Sequence, residues 1–272
     1  MELRHSTHPD QVPGMDTAEI RRRYLVPGLF VPGEANALYT HEDRTVLVGI
    51  VPLDEPISMP TYPEIRSERF FDHREAGVVN VGQAGTVTVD GTEHRMAKGA
   101  CLYIGRGATD VDFAGAGARF YLFSAPAHTA YPTTLVEPGQ GTIRELGDQK
   151  TSNRRTLNQY IHENGVRSCQ VVMGVTTLHE GSMWNTMPAH THDRRTECYL
   201  YFDVPEEARV LHLLGQPQET RHMVVANEEA IISPSWSVHS GVGTSAYSFV
   251  WAMAGENQSF DDMDTFPVKE MR

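Results

Sequence analysis

Two histidines one residue apart, His190 and His192, are followed five residues on by Glu197 and, further along, by His239 within Trp236-Ser237-Val238-His239-Ser240-Gly241. Three imidazoles and a carboxylate make a mixed nitrogen–oxygen set suited to a borderline divalent ion such as zinc, iron, manganese or nickel. The His-x-His pair alone is weak, since 13 histidines in 272 residues supply roughly 0.6 such pairs by chance. Its surroundings add more. In a strand, residues two apart share a face, so His190 and His192 can aim both rings at one point. Glu197 lies an odd number of positions beyond His192 and would face away on a straight strand. The polar run Asp193-Arg194-Arg195-Thr196 suits a turn or bulge that resets this register. Beyond it, Glu197, Tyr199 and Tyr201 are expected on one face and Cys198, Leu200 and Phe202 on the other, with a later hairpin returning His239 to the same spot. The expected metal ligands are His190, His192, Glu197 and His239. The other histidines read as surface or hydrogen-bonded core side chains, with His162 and His222 as candidate pocket edges.

The elements that must position these residues are short strands. Asp16, with Glu19 three residues later, opens a short N-terminal helix whose Arg21-Arg22-Arg23 reads as a solvated face. Past residue 40 come glycine-punctuated runs such as Thr45 to Val51, Val78 to Val81 and Thr86 to Val89, the last leading into the hairpin signal Asp90-Gly91. Cys101 to Ile104 and Ala118 to Phe123 continue the series. Proline, glycine and polar residues dominate from 131 to 162, after which runs such as Glu197 to Phe202, Ala230 to Ile232 and Tyr247 to Trp251 resume. The chain divides into an extension at 1–40, a β unit at 41–130, an irregular linker at 131–162 and a second β unit at 163–272. A faint internal repeat lays Cys101 to Ile104 over Ala230 to Ser233, and Val78 to Val81 over Cys198 to Tyr201. In that alignment Gly77 stands where Glu197 stands and Asp110 where His239 stands. No His-x-His occurs before residue 190, so the first unit is expected to be metal-free. Its apolar and aromatic strand positions offer surface to bury between chains.

Composition narrows the function classes. A formal net charge of -12 works against nucleic acid, whose phosphates need clustered Lys and Arg. No apolar run is long enough to span a membrane, and residues 1–10 hold no stretch of signal-peptide length, so a cytoplasmic protein is expected. Three scattered cysteines fit a reducing compartment and argue against a disulfide framework.

His190-x-His192 with Glu197 and a distant His239, in a glycine-punctuated β chain, resembles the two-motif signature of cupins. Eight residues separate Gly181 from His190, where the common motif has five, and no glycine stands seven positions beyond Glu197. Two longer runs, Met187 to Phe202 and Asn227 to Gly241, resemble the 5-dehydro-4-deoxy-D-glucuronate isomerase family, also called 4-deoxy-L-threo-5-hexosulose-uronate ketol-isomerase. The likeness extends to Gly174-Val175-Thr176, Trp184-Asn185-Thr186 and Gly77 to Gly82, and so covers most of the chain. The resemblance implies a mainly β, double-cupin (bicupin) fold, one zinc per chain on the four ligands named, a homohexamer and a role in pectin and uronate breakdown. The implied reaction is aldose–ketose isomerisation of 5-dehydro-4-deoxy-D-glucuronate to 3-deoxy-D-glycero-2,5-hexodiulosonate. It needs a group that moves a proton between adjacent carbons, for which Tyr199, Tyr201, Glu180 and Gln170 are open candidates. It also needs a cation for the substrate carboxylate, with Arg154, Arg155, Arg167, Arg194 and Arg195 unranked. Two other readings share the ligand set: another cupin metalloenzyme such as an iron dioxygenase, and a non-catalytic sugar-acid-binding module.

Overall fold

Side-chain alternation on short strands builds this fold. In the computed structural model, which describes residues 1–256 and 259–272, strand Arg195–Phe202 sends Tyr199 and Tyr201 into one hydrophobic core and Cys198, Leu200 and Phe202 into another. This is the division expected from period-two alternation.

Two halves repeat one plan. In the first, a seven-stranded sheet carries the strands in the order Glu2–Arg4, Ala35–Thr40, Val46–Ile50, Phe120–Pro126, Arg74–Asn80, Cys101–Ile104 and Thr134–Val136. It closes over a four-stranded sheet around a core that includes Val48, Val78, Val87, Phe113 and Phe120. In the second, the seven strands run Thr142–Leu146, Arg155–Ile161, Val172–Leu178, Ser248–Gly255, Arg195–Phe202, Ala230–Ser233 and Leu25–Val26. A second four-stranded sheet, which includes Val210–Gln216 and Ser240–Gly243, covers it. The fold is therefore mainly β with two cupin-like units. Asp16 caps the helix Thr17–Tyr24 through the Glu19 amide at 2.8 Å. The neighbouring arginines do more than face solvent, since Arg21 donates to the Val224 carbonyl at 2.7 Å and so docks the helix on the second half.

Three sequence expectations meet a different arrangement. The segment 131–162 supplies turns, and it also sends Thr134–Val136 into the first sheet and Thr142–Leu146 and Arg155–Ile161 into the second. Arg155 and Gln159, polar yet buried, break the apolar alternation that would have announced the last strand. The extension 1–40 likewise gives Glu2–Arg4 to the first sheet and Leu25–Val26 to the second. The internal repeat is real in its strands but off by one residue. Ala76 pairs with Ile104 as Glu197 pairs with Ser233, so Ala76, not Gly77, stands where Glu197 stands. A one-residue slip reverses every side chain. Gly77 faces the second half, where an added Cβ would collide with Met173 Sδ.

The two large sheets pack against each other. Val79, Tyr103, Tyr121 and Phe123 of the first meet Met173, Val175, Cys198 and Leu200 of the second in one buried cluster. The aromatic strand positions of the first half, expected to serve contacts between chains, are thus consumed within the chain. Glu75, fully buried, locks this interface. Its Oε1 accepts from the Gln170 and Val171 amides at 2.7 and 2.9 Å, and its Oε2 from the Cys169 amide and the Tyr103 hydroxyl at 2.7 and 2.8 Å. Glu75→Gln keeps the shape but sets an NH2 among these donors. The expected loss is about 2–4 kcal/mol of unfolding free energy in urea titrations; a loss below about 0.5 kcal/mol would show that the carboxylate is not the lock.

Candidate metal centre

Three pieces of chain bring the ligand candidates together. His190 lies in strand Ala189–Thr191 and His192 just after it. The Arg195 amide donates to the His192 carbonyl at 3.2 Å, closing the tight turn that reverses the facing before Glu197 enters its strand. His239 immediately precedes strand Ser240–Gly243, which pairs with Val210–Gln216 of the smaller sheet. One ligand atom from each of the four residues falls within 4.8 Å of every other, and His192, Glu197 and His239 are buried. This is the group of four that the sequence spacing pointed to.

The ring orientations fit a cation. Nε2 of His192 and Nε2 of His239 both lie 2.8 Å from Glu197 Oε2, and Nε2 of His190 lies 3.0 Å from Nε2 of His239. Each Nδ1 faces a backbone carbonyl: His192 that of Asp262 at 2.7 Å, His190 that of Pro188 and His239 that of Ser237, both at 3.4 Å. Protons placed at Nδ1 leave the Nε2 lone pairs of His190 and His239 facing one another, an arrangement that a shared cation relieves. Burial, reinforced by the neighbouring His239 and His192, lowers the His190 pKa to about 3. The ring is therefore neutral, as ligation requires. Burial pushes the Glu197 carboxyl up, but His239 and His192 together outweigh it and hold Glu197 ionised well below its ordinary range.

Beside this cluster opens a cavity of about 170 Å³. Its wall is largely apolar, with Leu157, Phe249, Trp251 and Phe260 among the lining side chains, and its polar groups include Arg155, Thr186 and Tyr199. Of the four candidates for proton movement, only Tyr199 lines it. The Tyr199 hydroxyl lies 2.8 Å from Thr186 Oγ1, and burial followed by the Glu197 charge raises its pKa well above the ordinary phenol value. Tyr201 is buried behind it, bonded to His212 Nδ1 at 2.8 Å, while Glu180 is exposed and Gln170 is tied to the Pro126 carbonyl. His162 and His222 do not line the cavity; His222 is exposed on an edge strand, and His162 Nδ1 accepts from the Asn164 amide.

One wall was not foreseen from the sequence. Strand Asp264–Phe266 pairs with Ala189–Thr191, placing Phe260, Met263 and Thr265 on the cavity. Arg195 holds this return, donating to the carbonyls of Ser259, Phe260 and Asp262. The pairing joins residues more than 70 positions apart, and neither partner strand exceeds three residues. No local pattern of that length announces it. The buried network that ties Tyr201 to Asn185, His212 and Tyr247 behind the candidate ligands was not foreseen either, because it joins side chains from four different strands or loops.

The KduI/IolB family model matches residues 30–267. A 4-deoxy-L-threo-5-hexosulose-uronate ketol-isomerase from Kineococcus radiotolerans is 70% identical over the full length of both chains. Proteins of the same name from Bacillus pumilus and Salmonella typhimurium are 52% and 48% identical, again over 100% of each chain. Among solved structures, an IolB-like protein from Salmonella typhimurium superposes with a TM-score of 0.69 at 15% identity, covering 82% of this chain and 87% of the other. Oxalate decarboxylase from Bacillus subtilis does so with a TM-score of 0.54 at 10% identity, covering 83% and 72%. At such identities these structures speak to the fold alone.

Proposed function

Since the chain belongs to the KduI/IolB family, we propose that it is a metal-dependent aldose–ketose isomerase. It converts 5-dehydro-4-deoxy-D-glucuronate to 3-deoxy-D-glycero-2,5-hexodiulosonate in uronate and pectin breakdown. The observation that carries the reading is the convergence of His190, His192, Glu197 and His239 beside a largely apolar cavity. Relatives 48–70% identical over full length and named ketol-isomerases support the reaction class. We read the ion as zinc, one per chain.

A divalent ion held by these four side chains would supply Lewis acidity to a carbonyl oxygen and its neighbouring hydroxyl oxygen. The protein does the rest. The Asp262 carbonyl orients the His192 ring, which keeps Nε2 turned to the centre. The largely apolar wall leaves few groups to screen charge developing on the substrate, so it is felt at short range. Among the described residues, once His190, His192, Glu197 and Arg155 are set aside, Tyr199 is the titratable side chain left on the cavity wall. Its phenol holds and delivers a proton next to the reacting carbons, with Thr186 Oγ1 fixing its direction.

We divide the work between the halves: 163–272 holds the metal, and 41–130, with an apolar interior, supports it by packing. Among the described residues no helix is long and apolar enough to cross a membrane. A cytoplasmic homohexamer is our reading from the resemblance. The test of function is direct. Zinc-loaded protein, given 5-dehydro-4-deoxy-D-glucuronate without nucleotide cofactor, is expected to yield the 2,5-diketo isomer by NMR, to stop on chelation and to resume on zinc addition. Binding without any turnover would instead support the sugar-acid-binding module.

A further inference from the structure

Arg155 is a buried cation without an acidic partner on the wall of the candidate active site. It begins strand Arg155–Ile161, paired with Leu178, and shares its inward face with Leu157, which also lines the cavity. Its residue exposure is 8%. Nη1 donates to the Asn153 carbonyl at 2.8 Å and Nη2 to the Met187 carbonyl at 3.4 Å, and no carboxylate among the described residues lies within ion-pair distance. A buried guanidinium is costly unless its charge is met, and two backbone carbonyls meet it only in part.

The other buried arginines differ. Arg195 gives its donors to the carbonyls of Ser259, Phe260 and Asp262 and does not line the cavity. Arg74 is spent on Ser124 and the Arg44 carbonyl in the first half. Arg154, Arg167 and Arg194 are exposed. The Met187 carbonyl that Arg155 touches lies three residues before His190, so the cation and the ligand cluster flank one small space.

We infer that Arg155 is the specificity residue of the cavity, its guanidinium receiving the carboxylate of a sugar acid whose carbonyl end lies toward the His190–Glu197 cluster. This rests on the isomerase reading for the identity of the substrate, but not for the pairing itself. A guanidinium offers two parallel N–H groups that match a carboxylate, which selects acids over neutral sugars of the same shape. The apolar surroundings sharpen that preference, because the unpaired alternative leaves a charge poorly solvated.

Calorimetry on the zinc-loaded full chain tests it, comparing 5-dehydro-4-deoxy-D-glucuronate with its neutral methyl ester. The native protein is expected to prefer the acid on the order of 10- to 100-fold. Arg155→Gln should bring that ratio near one with zinc content unchanged, and Arg155→Lys should recover part of it. A ratio is insensitive to a general loss of folded protein, which a merely structural arginine would cause. An unchanged ratio in Arg155→Gln would overturn the assignment, as would a native protein that binds neither compound or binds both equally. Tight acid binding that depends on Arg155, with no isomerised product, would sustain this inference while removing the isomerase reading.

Discussion

Replacing His190, His192 or His239 by alanine is expected to strip the protein of its metal and, with it, of activity. The native chain should purify with or take up close to one zinc, measured by elemental analysis after exhaustive dialysis. Loss of a direct ligand should cost more affinity than the about 10- to 100-fold typical of losing an outer partner of such a ligand. Each variant should therefore come through dialysis nearly empty. The fold is expected to survive, because His190 and its partners sit at the rim of a core built from Tyr199, Tyr201, Phe249 and Trp251. His73→Ala and His94→Ala are the controls. Both residues belong to the first half, His73 exposed beside Arg106 and His94 on the strand Thr92–Met96, and neither belongs to the ligand group. Their zinc should be unchanged. Full zinc in two of the three ligand variants, or a second equivalent lost in the controls, would refute the assignment of the centre to the second half.

Tyr199→Phe is expected to leave zinc and substrate affinity close to native and to lower kcat by about 100- to 10,000-fold, the range for a positioned proton-transfer group. The substitution removes one oxygen and leaves the ring, which meets His239 and His212 edge-to-face and Phe249 at a tilt, in place. Only the hydrogen bond to Thr186 is lost from the protein itself. Thr186→Val offers a graded comparison, since it misdirects the phenol without deleting it, and should reduce kcat by less. Near-native kcat in Tyr199→Phe would clear Tyr199 of the role. An equal rise in KM with kcat held would make it a binding residue instead.

Much of this site was legible in the sequence because its candidate ligands obey short-range rules. His190 and His192 are two apart and so share a face. Asp193 and Arg194 of the polar run supply the turn that brings Glu197 inward, and Glu197, Tyr199 and Tyr201 then follow one face of a strand. The glycine-punctuated strand series set the fold class on the same grounds, since period-two patterning is a property of consecutive residues. The repeat between halves was visible as strands but misread by one residue, because apolar runs such as Val78 to Val81 look alike in either register and only cross-strand pairing separates them.

What decided the rest was contact between residues far apart in the chain. Five arginines of equal standing in the sequence are ranked only when folding exposes three, spends Arg195 on the 259–262 carbonyls and leaves Arg155 facing the cavity. Glu75, anonymous in a run of strand residues, becomes the lock between halves because the amides of 169–171 arrive around it. The chain from 259 to 266 becomes a cavity wall by pairing three residues with Ala189–Thr191. Local periodicity fixes which face a side chain takes. Which distant surface that face then meets depends on how the sheets pack, and no span of neighbouring residues encodes it.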